Sequence, residues 1–259
     1  SSTSLGSEMC IRDRLCHSAF YWLSRFRLNT SRISKKANAF CLALVLTVFC
    51  FISIWWAYHL PMSSAPDEHM RLQVPLFIAE NGYLPRGDDP SIINETWGTS
   101  YAFSVYGSSL IAVPFICAAK LLVPNSAAML VFAARVSNCL LAVLNVFCIY
   151  LIGKKLNLGN TVSILAAILF AFLRQNVFLA AYFNSEQLEF LSTNLVIVLC
   201  LNARKNRWNY RSCFFLGCGL GVLALSYYYA YGAIIAAIVF YFCTCLLYTS
   251  PSPRDVEES

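Results

Sequence analysis

The sequence predicts an all-α polytopic transmembrane protein, with about six membrane-spanning helices plus interfacial helices in its first outer loop. Three observations predict it. Of 259 residues, 58% are hydrophobic and 12% charged, against about 25% charged in an ordinary soluble domain. Mean hydropathy is +0.60. Apolar runs of roughly twenty residues recur, the length that crosses about 30 Å of hydrocarbon. The 19 Lys and Arg outnumber the 13 Asp and Glu for a formal +6, but apolar runs separate the basic residues. They read as topology signals, not as a nucleic-acid surface.

Both ends are read apart from the fold. Gly6 to Asp13 can be back-translated so that the reverse complement, in another frame, encodes Cys245 to Ser252 and opens Pro253. One DNA sequence in opposite orientations at the two ends resembles a sequencing-library adapter. Residues 1–14 and 245–259 are therefore expected to be artefact, and the genuine insert about Leu15 to Thr244, cut at both ends. No Met occurs between Leu15 and Leu60, so the natural start is expected upstream, or the stretch to about Thr30 is leader or untranslated. The flanks hold three of the 19 basic and five of the 13 acidic residues, leaving 16 and 8. Of the ten remaining cysteines most sit in apolar stretches without metal-ligand spacing, and they read as small hydrophobes.

Residues 15–38 form a basic cytoplasmic segment with Arg25, Arg27, Arg32, Lys35 and Lys36. Residues 39–60 form the first transmembrane helix, ending in the interfacial Trp55-Trp56-Ala57-Tyr58. Residues 61–126 are the outer loop, too long in its polar part for a passive turn. Asp67 to Ile78 is expected to be a short helix on the membrane surface, although Pro75 interrupts its pattern. Residues 127–244 carry the remaining membrane helices: Ala127 to Gly153, Thr161 to about Phe183 broken at Arg174-Gln175-Asn176, Leu188 to Leu201, and Cys213 to Cys243. The last is long enough for two helices joined near Ser226 to Tyr229.

Lys154-Lys155 and Arg204 to Arg207 should both be cytoplasmic. An odd number of crossings must then separate the first helix from Lys154, while two candidates occupy the interval. Val105 to Leu122, with Pro114 in its middle and Lys120 near its end, is the one expected to lie in or re-enter the outer interface. With that topology the insert's carboxylates share one face: Asp67, Glu68, Glu80, Asp88, Asp89 and Glu95 in the loop, and Glu186 and Glu189 at the entrance of the Leu188 helix.

Pro66-Asp67-Glu68-His69 stands where water, headgroups and protein meet. Paired carboxylates beside an imidazole can act as a general base, a hydroxyl acceptor or metal ligands. The plain alternative is a capped surface helix. Asn184-Ser185-Glu186 reads either as a second acidic site or as a helix cap. Arg135 and Arg174 interrupt membrane helices, and either snorkel or meet a phosphate. Tyr227 to Tyr231 forms an interfacial belt or contacts a sugar or isoprenoid.

The order of these features resembles the GT-C-type superfamily of integral-membrane glycosyltransferases, mannosyltransferase-like enzymes that use polyprenyl- or dolichyl-phosphate-linked sugars. The likeness rests on the basic N-terminus, the single helix, the loop opening with Pro66-Asp67-Glu68-His69 and the interfacial helix. It continues through the Ala134-Arg135 helix running into Gly153-Lys154-Lys155-Leu156, to Asn184-Ser185-Glu186. The resemblance implies inverting transfer of a sugar from a lipid-linked donor to a glycan, protein or lipid acceptor on the non-cytoplasmic face.

Asp67 is then the expected base, with Glu68 and Glu186 beside it as catalytic acids. His69, Arg71, Arg135, Arg174 and Tyr228 are expected to bind substrate. Asp67 and Glu186 are the expected ligands of a divalent Mg or Mn. The family's later helices and outer domain would follow Thr244, so this piece alone is expected to be inactive. A multi-pass protein of the bacterial plasma membrane is favoured over the endoplasmic reticulum. A transporter or flippase, or a non-catalytic membrane subunit, are the competing classes. The first would need inverted repeats and midplane acids, and neither occurs.

Overall fold

The computed structural model describes residues 35–94, 98–124 and 126–249. The expectations for residues 1–14 and 250–259, for Arg25, Arg27 and Arg32, and for Glu95 lie outside them, while residues 245–249 of the second flank continue the last helix. Within the described residues every regular element is helical: α1 Lys35–His59, α2 Glu68–Asn81, α3 Gly107–Leu122, α4 Ala127–Lys155, α5 Asn160–Ala171, α6 Arg174–Ala181, α7 Glu186–Lys205, α8 Tyr210–Ala224 and α9 Tyr231–Thr249.

The span count differs from the expected six. Three helices are long and apolar enough to cross a membrane: α1, α4 and the stretch Tyr228–Cys245. The pair α5 and α6, bent by 60° at the break before Arg174, makes a fourth if counted as one span. The physical reasons are local. The first half of α7 carries Glu186, Gln187, Glu189 and Asn194, and α8 has 15 residues, about 22 Å at the usual rise. The protein is thus an α-helical membrane protein with three or four candidate spans. Side chains such as Phe40, Phe51, Phe214 and Ile235 stay exposed, as helices facing lipid require.

Helix α4 is the centre, packed by α1, α2, α3, α5, α6 and α7, while α8 and α9 gather on α7. Small buried residues on α4, among them Ala134, Ser137, Cys139, Ala142 and Gly153, let neighbours approach closely. Phe49, Val146, Ala167 and Ala180 close the core between α1, α4, α5 and α6. Across the α4–α7 seam the Asn194 amide donates to Asn145 Oδ1 at 2.7 Å, a polar clasp between membrane helices.

The helix ends have readable causes. Ser126 caps α4 by accepting from Met129 N–H at 3.4 Å, and Asn209 caps α8 by accepting from Ser212 N–H at 3.0 Å. Gly82 ends α2 at φ +75°, its N–H bonded to Ile78 O, the left-handed cap that glycine adopts without strain. Pro75 sits inside α2 without ending it.

One end of the bundle gathers the basic residues Lys36, Lys154, Lys155, Arg204, Lys205, Arg207 and Arg211, the other the acids. Helix α3 starts and stops at acidic-face elements: Gly107 N–H donates to Leu225 O at 3.1 Å, and Lys120 Nζ donates to Ala79 O at 3.5 Å. A Cβ added at Gly107 would stand 2.1 Å from Leu225 O, a backbone atom with nowhere to go. Gly107→Ala should therefore lower stability by about 1–3 kcal/mol, read as earlier unfolding in mixed detergent micelles. Unchanged unfolding would mean that α3 does not seat on the α8–α9 link.

Candidate functional site

Two layers of charge lie at the acidic end, one buried and one open. The buried layer is built on Glu68, which has no exposed surface, and Arg135, 4% exposed. Arg135 Nε donates to Glu68 Oε1 at 2.8 Å and Nη2 to Oε2 at 2.6 Å. Its Nη1 donates to two carbonyls at the end of α1, Ala57 O at 2.9 Å and Leu60 O at 2.6 Å. Phe183 N–H donates to Glu68 Oε1 at 2.8 Å. One ion pair thus ties the end of α1, the start of α2, the wall of α4 and the α6–α7 link. Bidentate geometry and satisfied lone pairs are what a desolvated pair needs.

Beside it, Asn138 Nδ2 donates to Tyr182 O at 2.8 Å. Asn184 Nδ2 donates to Leu179 O and Tyr182 O, and its Oδ1 accepts from Gln187 N–H at 3.0 Å. Asn184 therefore does act as a cap for the first turn of α7.

Here two expected roles need correction. Glu68 has no surface to offer a substrate, and Arg135 spends its guanidinium on Glu68 and on α1, not on a phosphate. Each looked available because the partner stands 67 residues away in the chain.

The open layer begins at Asp67, which precedes α2 with φ 56° and ψ 6°, in the left-handed region, and makes no side-chain cap bond. A non-glycine residue there stores about 1–2 kcal/mol, and such strain marks sites where direction matters. The conformation drops Glu68 inward and turns Asp67 outward. Asp67 Oδ2 accepts from the Tyr101 hydroxyl at 3.0 Å.

One turn on, Arg71 holds Glu186 with both arms, Nη1 to Oε2 at 2.6 Å and Nη2 to Oε1 at 3.0 Å. Its guanidinium carbon stacks 5.5 Å from the Tyr101 ring and 6.0 Å from the Tyr227 ring, within cation–π range. Burial works to lower the Arg71 pKa, but the hydrogen bonds and charge of Glu186 outweigh it and raise it. The cation is permanent. Asp67, Met70, Tyr101, Phe103 and Tyr228 line an open cavity of about 530 Å³, large enough for a sugar-sized ligand.

The structure brings together Asp67, Arg71, Glu186 and, at the cavity wall, Tyr228. It leaves His69 exposed on α2 and Arg174 exposed at the start of α6, with no link to the cavity. Tyr101, the partner of Asp67, carries no sequence signal beyond lying in the acidic loop. The residues do not fit a two-carboxylate metal site, because both Glu186 oxygens are taken by Arg71. Among the described residues no three His, Cys, Asp or Glu side chains converge.

Tyr101 titrates high. Burial and the hydrogen bond to Asp67 raise its pKa, while the charge of Arg71 acts to lower it. Because the folded value lies above the unfolded one, this phenol's contribution to stability is complete below its ordinary value. It is lost as pH rises through the shifted value. A spectrophotometric titration of Tyr101→Phe should lack one phenol at the alkaline end of the wild-type curve. Loss from the ordinary range would break the Asp67–Tyr101 pair.

Compared with family models, with curated proteins and with solved structures, the chain matches none.

Proposed function

We propose that the protein is a membrane glycosyltransferase, or a piece of one, that moves a sugar from a polyprenyl-phosphate carrier to an acceptor hydroxyl on the non-cytoplasmic side. One observation carries this reading. Asp67, turned outward by its backbone, opens into a cavity of about 530 Å³ walled by Tyr101 and Tyr228, one helical turn from the fixed cation Arg71.

The acceptor oxygen bonds to the anomeric carbon while its proton passes to Asp67. On the opposite side the bond from that carbon to the carrier phosphate breaks, and its electron pair leaves with the phosphate, inverting the centre. Arg71 spends both Nη groups on Glu186 and keeps Nε without a partner, so the departing oxygen would be met by that one charged N–H, held in place by Glu186. The aromatic wall supplies apolar faces for the sugar ring. Glu68 and Arg135 hold the start of α2 against α1 and α4, and no step is assigned to a metal.

In this reading α1, α4, the bent α5–α6 pair, α7, α8 and α9 are six passages, the short α8 packed along α7. Helix α3 lies in the outer interface. The basic face is cytoplasmic, in a bacterial plasma membrane.

The test is transfer from a lipid-linked sugar by the full-length gene product carrying Asp67→Asn. Transfer at the wild-type rate would remove Asp67, and with it the proposal.

A further inference from the structure

A second cavity lies at the opposite end of the bundle. It holds about 410 Å³ between α1, α4 and α5, lined by Asn38, Leu42, Leu46, Tyr150, Lys154 and Asn160. We propose that this groove binds one anionic phospholipid, its phosphate at Lys154 and its acyl chain along Leu42 and Leu46.

Three independent features converge on that ligand. The lining is graded. Polar groups from Asn38, Tyr150, Lys154 and Asn160 stand at the end where the chain is basic, and leucines of α1 continue toward the middle of the bundle. A free phosphate needs only the first part, and an alkyl chain only the second. A phospholipid needs both.

The charge is also unbalanced. Every described carboxylate lies at 67–89 or at 186 and 189, and the three salt bridges among the described residues all belong to residues 68–186 of the acidic face. Lys154 donates to Asn160 Oδ1 and Lys155 to Asn202 Oδ1, so both meet neutral amides. No described group supplies the negative charge.

The third feature is the start of α5. Its N-cap, Gly159 at φ 81°, gives no side-chain cap bond to the first N–H groups of this 12-residue helix. They carry the positive end of the helix dipole. Asn160, hydrogen-bonded to Lys154, brings that helix end and the ammonium to one mouth. Basic pockets between membrane helices on the cytoplasmic side take phosphorylated headgroups for the same reasons.

The experiment is native mass spectrometry of the full chain in detergent, after exchange with phosphatidylglycerol or with phosphatidylcholine. One phosphatidylglycerol per chain should survive activation where phosphatidylcholine does not. Lys154→Gln should weaken retention about fivefold, the effect of one cation near a headgroup. Ala43→Trp, which fills the groove from the exposed face of α1, should remove it with every charge intact. Lys205→Gln, on the same basic face but outside the groove, should change nothing.

Equal retention by Ala43→Trp, or equal losses from Lys154→Gln and Lys205→Gln, would reduce the effect to diffuse attraction and overturn the proposal. Displacement of the lipid by millimolar inorganic phosphate would overturn it as well, since the apolar floor would then contribute nothing.

Discussion

Replacing Arg135 with Leu should cost about 3–5 kcal/mol of stability, while replacing Glu68 and Arg135 together should cost less than Arg135→Leu alone. The single change leaves the Glu68 carboxylate with no exposed surface and only Phe183 N–H as a donor. An uncompensated buried charge is the most expensive polar defect a fold can carry. The double change to Leu removes both charges and keeps apolar volume, so what remains is the loss of partners for the Ala57 and Leu60 carbonyls and for Phe183 N–H. Each is worth roughly 1–3 kcal/mol at most, and two of them lie near the end of α1, where water is close.

Arg135→Lys should recover little, because a point ammonium cannot span two carboxylate oxygens and two carbonyls at once. The measurement is a double-mutant cycle from unfolding in mixed micelles. Additive losses would mean that the two side chains stabilise the protein independently, contrary to their 2.6 Å contact.

The largest kinetic effect is expected at Asp67. Asp67→Asn in the full-length protein should lower kcat by about 10²–10⁴-fold, the usual worth of a general base, with the donor KM nearly unchanged. The substitution isolates the chemistry. Asn tolerates the left-handed backbone almost as Asp does, and its amide oxygen still accepts from the Tyr101 hydroxyl. Only the ability to take a proton is lost. Asp67→Ala would confound the result, because alanine resists φ 56° and its failure would mix strain with chemistry. A raised KM at constant kcat would instead make Asp67 a binding residue.

The local part of this fold was legible in the sequence because its causes are local. The polar triplet Arg174-Gln175-Asn176 forecast the break between α5 and α6. Tyr227 to Tyr229 forecast the joint between α8 and α9, and Asp67 to Ile78 forecast α2, found as Glu68–Asn81. The clustering of acids at one end followed from the basic loops alone.

The pairing of charges was not legible. Glu68 and Asp67 are adjacent and chemically alike, yet one left-handed residue sends them to different layers, and no composition rule distinguishes them. Arg71 and Glu186, 115 residues apart, give no joint signal in a single chain. Fewer helices than six qualify as spans by length and composition because a helix can join the two faces of a bundle while carrying several polar groups, as α7 does, or too few residues, as α8 does.

The buried knot also sets an order of events during synthesis. Its members arrive from the ribosome at 57–68, 135 and 182–183, so the Glu68 carboxylate gains Arg135 first and its last donor, the Phe183 N–H, 48 residues later. Until then Glu68 Oε1 lacks one of its two donors. The layer above it should take its final shape only after the bent α5–α6 pair has emerged, so the last donor to the knot comes from the second half of the chain.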